Sequence, residues 1–388
     1  MDLSKRFSYE GPRTPKQNEI DDVVELARSI FFKSAPSYKE AVVTWPMYLR
    51  PELRENTYCM FYKGSPVALI IRLVRDMYIY GCHLRVGYIG SVCTHPDHRE
   101  RNLAGTILEA SFQRFANDNV DIVNISGARS LYYRTGANHV GHPQFQIDLN
   151  AVKQFKNTDV KIRKAEFEDA EIIRSLNEGE DVRINRDLLD YELVLENGCC
   201  SGRRCIFYII ESGSEIVSYI LARDSKRDNG KWTQNIFEFA GDRSVIIPAL
   251  ADIANDIKID ENAYFTIQVT AQDELIPILE RSGFTMSTNR AGGTLKVLNF
   301  PRTMNKLKPI LSQYIDAENV EFTTGKDRYG IYSDSGTLEI DGEANMLWTV
   351  LGSPPGNQIE NIRVNESMKN LTENCFPIPL PSLTLNNI

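Results

Sequence analysis

Apolar residues recur at Leu103, Ile107, Leu108, Ala110, Phe112 and Phe115, the spacing that lines one face of a helix. The apolar run Val86–Val92 ahead of it reads as a strand, and Val120–Ser126 behind it reads as another. The same period predicts an amphipathic helix over Glu19–Phe32, after Thr14-Pro15, with Ile20, Val23, Val24, Leu26, Ala27 and Ile30 on its apolar side. Thr57–Tyr62 and Pro66–Val74 form a hairpin around Lys63-Gly64-Ser65. Tyr78–Tyr80 and Val86–Thr94 form a second pair around Gly81.

Past residue 150 the pattern starts again. Val160–Ile173 reads as strand, short turn and helix. Cys205–Glu211 and Ile216–Arg223 make a hairpin around Ser212-Gly213-Ser214, and Ala263–Thr270 is a strand. A third stretch opens near Leu298. It predicts a helix over Met304–Tyr314 and short strands at Val320–Thr323, Arg328–Ser333, Gly336–Ile340 and Met346–Leu351. A proline-rich, extended tail follows from Phe376 to Pro381. A length of 388 residues suits two or three domains. The divisions are residues 1–150, 151–297 and 298–388, each mixing strands and helices, so the fold class is α+β / α/β.

Composition narrows the function. Hydrophobic residues at 42% and charged residues at 25% are ordinary for a soluble globular chain. No stretch approaches the roughly 20 apolar residues that span a bilayer, and the first eight residues lack an apolar signal core. A net charge of −8 disfavours nucleic acid, which needs a basic face, and is compatible with a cationic substrate. Seven cysteines, an odd number without a CxxC pair, read as reduced thiols in a cytoplasm. Cys93-x-His95-x-x-His98 fits no zinc spacing and lacks a second ligand pair, so no metal is expected.

The candidate chemistry lies between the Val86–Thr94 strand and the Leu103–Phe115 helix. A strand, a basic loop and a helix start make an anion cradle, because the first helical N–H groups have no partner and the dipole favours negative charge there. Arg99 and Arg101 add forked cationic donors suited to phosphate. The bland alternative is a surface loop with two solvated arginines. Arg99-x-x-Asn102-x-Ala104 resembles the acyl-CoA pyrophosphate loop of the GCN5-related N-acetyltransferases, with Asn102 where glycine is usual. Asparagine tolerates left-handed backbone better than most residues. Downstream, Gly127–Ala137 resembles the Phe-Tyr-x-x-x-Gly-Phe segment of the same family, with Tyr132 on its tyrosine and Gly136 on its glycine. Tyr133 reads as packing.

The second block resembles a degenerate acetyltransferase copy. Leu279–Phe284 echoes the Tyr132 segment without a tyrosine, and Glu238–Ile246 has no Arg-x-x-Gly. The third block resembles a sterol-carrier-like domain. The whole order, two tandem acetyltransferase folds and then that domain, resembles the enhanced-intracellular-survival family of bacterial acetyltransferases.

That resemblance implies a homo-oligomer, a hexamer, and N-acetylation of small polyamine-like or aminoglycoside-like amines by acetyl-CoA. The diphosphate of acetyl-CoA is then expected at Asn102, Leu103, Ala104 and Gly105, aided by Arg99 and Arg101. Backbone groups of Val92, Cys93 and Thr94 hold the pantetheine arm like an added strand, and an N–H near Val92 stabilises the oxyanion. Tyr132 protonates the leaving thiolate; an ordinary phenol, with a pKa of about 10, keeps its proton at neutral pH. The carboxylate of the last residue, Ile388, enters the site and helps take the amine proton. Cys93 reads as a small packing residue, and no cysteine nucleophile is needed. Two other readings stay open: a non-catalytic binder of CoA or a lipid-like ligand, which Asn102 favours, and an acetyltransferase for protein lysines.

Overall fold

The computed structural model describes residues 8–31, 40, 43, 51–200, 202–223, 226–228, 231–256, 263–316, 318–334 and 336–383. The first block supplies β1 (Tyr9–Arg13), β2 (Thr57–Tyr62), β3 (Ser65–Ile79), β4 (Cys82–Thr94) and β5 (Ile122–Ile125), which neighbour one another in that order. The first four are antiparallel, and β4 and β5 run parallel. Pro66–Val74 and Tyr78–Tyr80, separate in the sequence reading, are one strand. Arg75 and Asp76 interrupt the apolar alternation, but the ladder to β4 continues through them to Ile79 opposite Cys82.

Two helices cover the two faces. α1 (Ile20–Phe31) buries Ile20, Val23, Val24, Leu26 and Ala27 with Leu69, Ile71 and Leu73 of β3. α2 (Leu103–Asn117) buries Leu103, Ile107, Leu108 and Phe115 on the opposite face, with Ile70 and Ile89. Each such side chain contributes roughly 1.5–3 kcal/mol on burial, so the α2 stripe holds the helix start against the end of β4.

The second block repeats this order. Val160–Lys164, Arg203–Ser212, Glu215–Arg223, Lys231–Gly241 and Tyr264–Gln268 are neighbours in sequence, and the last two are parallel. The two sheets then exchange strands. Gly141–Asp148, placed with residues 1–150 by the sequence reading, pairs with Tyr264–Gln268 of the second sheet. Thr294–Val297, placed with 151–297, returns to pair with β5. The parallel edge of each sheet is thereby closed by the other block's strand, which satisfies its backbone groups.

The third layer is an antiparallel sheet of Glu321–Thr324, Arg328–Ser333, Gly336–Asp341 and Ile362–Val364. Its helix Phe300–Leu311 starts four residues before the expected Met304, because Asn299 caps the Arg302 amide and Pro301 fits the first turn. Met346–Leu351 is not a strand; it belongs to the helix Glu343–Leu351, bracketed by Gly342 and Gly352 at positive φ. A short apolar run buried on several sides gives no period to separate helix from strand. This layer shares its core with the α1 face of the first sheet. Asp121, fully buried, binds the block together: it accepts from the Arg85 amide (2.8 Å), Arg302 Nε (3.1 Å) and Lys306 Nζ (2.7 Å). Among the described residues no helix is long and apolar enough to cross a membrane.

Candidate active site

Parallel pairing of β4 with β5 ends at Ile89 and Ile125, with one further bond from the Ser126 amide to the Ile89 carbonyl. Beyond it β4 continues through Gly90–Thr94 without β5, so the sheet forks. A bulge sits in the fork: Ser91 and Val92 together oppose Ile70 of β3, and Ser91 has φ +50°. A bulge of this kind turns backbone groups out of the ladder. Val92 and Cys93 are buried here and Thr94 is half-buried. Burial pushes the Cys93 thiol up to about 12, which leaves it no nucleophile at neutral pH.

The loop after β4 leads into the head of α2. Glu100 and Asn102 both have positive φ, and Asn102 occupies the N-cap with φ 55° and ψ 20° without capping the helix by its side chain. The amides of Leu103, Ala104 and Gly105 therefore lack both an intrahelical acceptor and a side-chain cap. The Asn102 carboxamide folds over the first turn. A Cβ on Gly105 would lie 2.3 Å from Asn102 Oδ1, so a larger residue at 105 would push the carboxamide aside. Arg99 is exposed; its Nε donates to the Thr94 carbonyl at 3.4 Å, which turns the guanidinium back along the end of β4. Arg101 donates to Tyr9 Oη at 2.8 Å and lies 3.1 Å from His98 Nδ1, so it braces the loop against β1.

Tyr132 follows β5 on a four-residue helix, α3 (Ser130–Tyr133). Its residue is 2% exposed, and its ring packs with Val92, Leu103 and Ile125 in one cluster and against Gly127. The structure thus gathers Tyr132, the fork and the head of α2 around the same core. Burial pushes the Tyr132 hydroxyl above the ordinary phenol range, partly offset by Arg129, and no hydrogen-bond partner holds it among the described residues. Tyr133 is not packing: it is 40% exposed with its ring edge toward His139.

Sequence reasoning missed three residues. Arg129 is exposed, and its positive charge acts electrostatically on both Cys93 and Tyr132; its signal was a cation three residues before the tyrosine. Tyr88 and Asn124 are register partners across β4 and β5, on the face opposite α2. Tyr88 Oη and both Asn124 side-chain polar atoms are buried without partners. An amide inside the apolar strand Val120–Ser126 was the available signal.

Among the described residues the second block shows no matching cradle. At its corresponding strand-to-helix turn, Glu180 accepts from the Gly241 amide (2.7 Å) and from Arg243, and Arg243 also binds Asp273. At the helix start itself the Asp242 side chain accepts from the Ser244 amide, so this turn, unlike that of α2, is capped by its own carboxylate. The Cys93, His95 and His98 spacing gathers no ligand set: Cys93 is buried, while His98 contacts Tyr9 and Arg101. Among the described residues no three His, Cys, Asp or Glu side chains cluster to hold a metal.

A cavity of about 520 Å³ lies at the junction of the three blocks rather than at the cradle. Its walls include Leu295, His142, Trp348 and the tail from Phe376 to Leu383. A second cavity of about 400 Å³ adjoins it through Gln268, Thr270, Ala271, Pro381 and Ser382. Six carboxylates, of Glu180, Asp181, Glu238, Asp242, Asp273 and Glu274, line the second cavity against three guanidinium groups, of Arg183, Arg186 and Arg243. The tail thus runs along the junction; Ile388 lies outside the described residues.

A forked β4–β5 pair, an uncapped helix start and a buried tyrosine thus meet at one place in the first block. Residues 12–140, about a third of the chain, match the family model of the acetyltransferase (GNAT) domain. The whole chain is similar in fold to a GCN5-related N-acetyltransferase from Anabaena variabilis ATCC 29413, at 14% identity and a TM-score of 0.56 over 87% of this chain and 84% of that one. It is similar to a probable N-acyltransferase from Enterococcus faecalis V583, with 14% identity and a TM-score of 0.56, covering 87% and 82% of the two chains. A GCN5-related N-acetyltransferase from Kribbella flavida gives 12% identity and 0.55, over 85% and 83%. These likenesses concern the fold. No curated protein matches the sequence.

Proposed function

We propose that the chain is an acetyl-CoA-dependent N-acetyltransferase for primary amines of a small polycationic substrate, polyamine-like or aminoglycoside-like. The observation that carries this reading is the juxtaposition of the uncapped α2 start, the β4–β5 fork and the buried Tyr132 phenol. The arrangement of two tandem sheets and a third antiparallel layer supports the enhanced-intracellular-survival type, with the last layer read as sterol-carrier-like. The second sheet is structural; its ion-paired helix start leaves no seat for a diphosphate.

Acetyl-CoA, as substrate, supplies the thioester. Leu103, Ala104 and Gly105 amides and the Arg99 guanidinium bind its diphosphate. The bulged backbone at Ser91–Val92 offers donors for the carbonyl oxygen as it becomes an oxyanion. The amine attacks the carbonyl, the C–S bond breaks, the amine proton passes to a carboxylate or water, and the thiolate takes the Tyr132 proton. The acidic second cavity favours a cation, and it adjoins the first cavity, whose wall includes Leu295 of the strand that pairs with β5.

Release of free CoA thiol with a panel of diamines, polyamines and aminoglycosides tests the reading; acetyl-CoA binding without turnover on any amine would overturn it in favour of a binder. Arg99→Ala is expected to weaken acetyl-CoA by roughly ten- to a hundredfold, the 1.5–3 kcal/mol range of a charged hydrogen bond. Isothermal titration measures it, and equal affinity would remove Arg99 from the diphosphate site. Because the tail runs beside the acidic cavity, residues appended after Ile388 are expected to lower turnover without changing acetyl-CoA affinity. Full activity of the extended protein would exclude a terminal carboxylate from the reaction.

A further inference from the structure

Arg72 stands on β3 and is 7% exposed, yet it has no carboxylate of its own. Its guanidinium lies 3.7 Å from the Tyr58 ring centroid and 5.8 Å from that of Phe115. Its Nε is buried without a partner, one terminal nitrogen reaches the Glu55 carbonyl at 3.5 Å, and the Tyr58 side chain is the other group that interacts with it. The group forms part of the wall of a cavity of about 320 Å³ between β2, β3 and the C-terminal end of α2. Every other charge in that wall has a counter-charge. Arg75 is bonded to Asp190 (2.8 Å), Arg114 to Asp118 (2.9 Å) and Glu55 to Arg54 (2.8 Å). A buried charge is costly unless paired. Aromatic faces offset part of the cost, and burial still lowers the Arg72 pKa. The cavity thus lacks one negative charge and offers forked donors, an amide at Asn56 and aromatic walls.

We propose that this cavity is a binding site for a small oxyanion, a phosphate monoester or a carboxylate, held by Arg72. The site is separate from the acyl-transfer cleft, and the proposal does not rest on that function. Its size admits a group larger than an inorganic ion, and Tyr58 and Phe115 suit an apolar portion beside the charge.

The test is thermal stabilisation of the full chain by millimolar inorganic phosphate and, separately, acetate, each against chloride at equal ionic strength. A ligand that binds only the folded state raises the melting temperature in proportion to occupancy. Wild type is expected to be stabilised, by phosphate alone if the natural ligand is a phosphoryl group and by both if it is a carboxylate. Arg72→Met is expected to weaken the apparent affinity at least tenfold. Asn56→Asp, which places a carboxylate in the same wall, is expected to abolish the response while leaving Arg72 in place, and it serves where Arg72→Met fails to fold. Absence of stabilisation in wild type, or an unchanged response in Asn56→Asp or Arg72→Met, would overturn the site.

Discussion

Tyr132→Phe is expected to lower turnover by about 100-fold, the lower end of what a positioned general acid supplies, with acetyl-CoA affinity unchanged. The change removes one oxygen from a ring in the same buried cluster as Val92, Leu103 and Ile125. The phenol has no hydrogen-bond partner among the described residues, so its loss leaves no orphaned group behind. Stability is therefore expected to stay close to wild type, and a fall in kcat reports proton delivery. The pH profile provides a second readout. Burial raises the Tyr132 pKa, so the phenol stays protonated through neutral pH and is lost only on the alkaline side of the usual value. The wild-type profile is expected to hold level through neutral pH and fall in strong alkali; the variant is expected to lack that alkaline fall. Steady-state kinetics with equal kcat in both proteins would take Tyr132 out of the mechanism.

Glu238→Ala is expected to destabilise the fold by about 3–5 kcal/mol, the usual cost of stranding one partner of a buried ion pair. Arg186 and Glu238 side chains are 1% and 6% exposed and bond through two contacts, 2.9 and 2.7 Å. Tyr219 Oη donates to the same carboxylate at 2.8 Å. Removing Glu238 strands a guanidinium and a hydroxyl together. Urea denaturation followed by circular dichroism measures the loss. The double change Arg186→Leu with Glu238→Leu is expected to recover most of it, since apolar replacement of both partners leaves no unpaired charge. A single variant as stable as wild type would show that the pair is not buried in solution. Glu238 also lines the acidic cavity, so the double variant further reports whether its charge attracts the amine: the expected sign is a raised KM.

The contrast between these two residues reflects what a sequence can and cannot carry. Tyr132 is local: its segment sits ten residues after the Ile122 strand start, and a motif with fixed spacing marks it. The head of α2 is local as well, since strand, basic loop and helix are contiguous. The Arg186–Glu238 pair joins positions 52 apart, and neither residue carries a motif. Arg72 reads as a polar break in an apolar strand, and nothing nearby in sequence shows that Tyr58 and Phe115 close around it. Met346–Leu351 reads as a strand, yet it lies in the helix Glu343–Leu351, because burial on several sides erases the helical period.

By itself the sequence determined the α1 and α2 stripes, most strands of both sheets, the basic loop at 99–105 and the tyrosine beyond it, because each depends on neighbours within about a dozen residues. Tertiary structure alone decided that Gly141–Asp148 and Thr294–Val297 trade sheets, that Arg129, Tyr88 and Asn124 lie around the fork, and that the tail borders an acidic junction. Periodicity fixes which face of an element is apolar. Which sheet edge that element closes is set by long-range pairing and packing, where segments far apart in sequence compete for the same unpaired backbone groups.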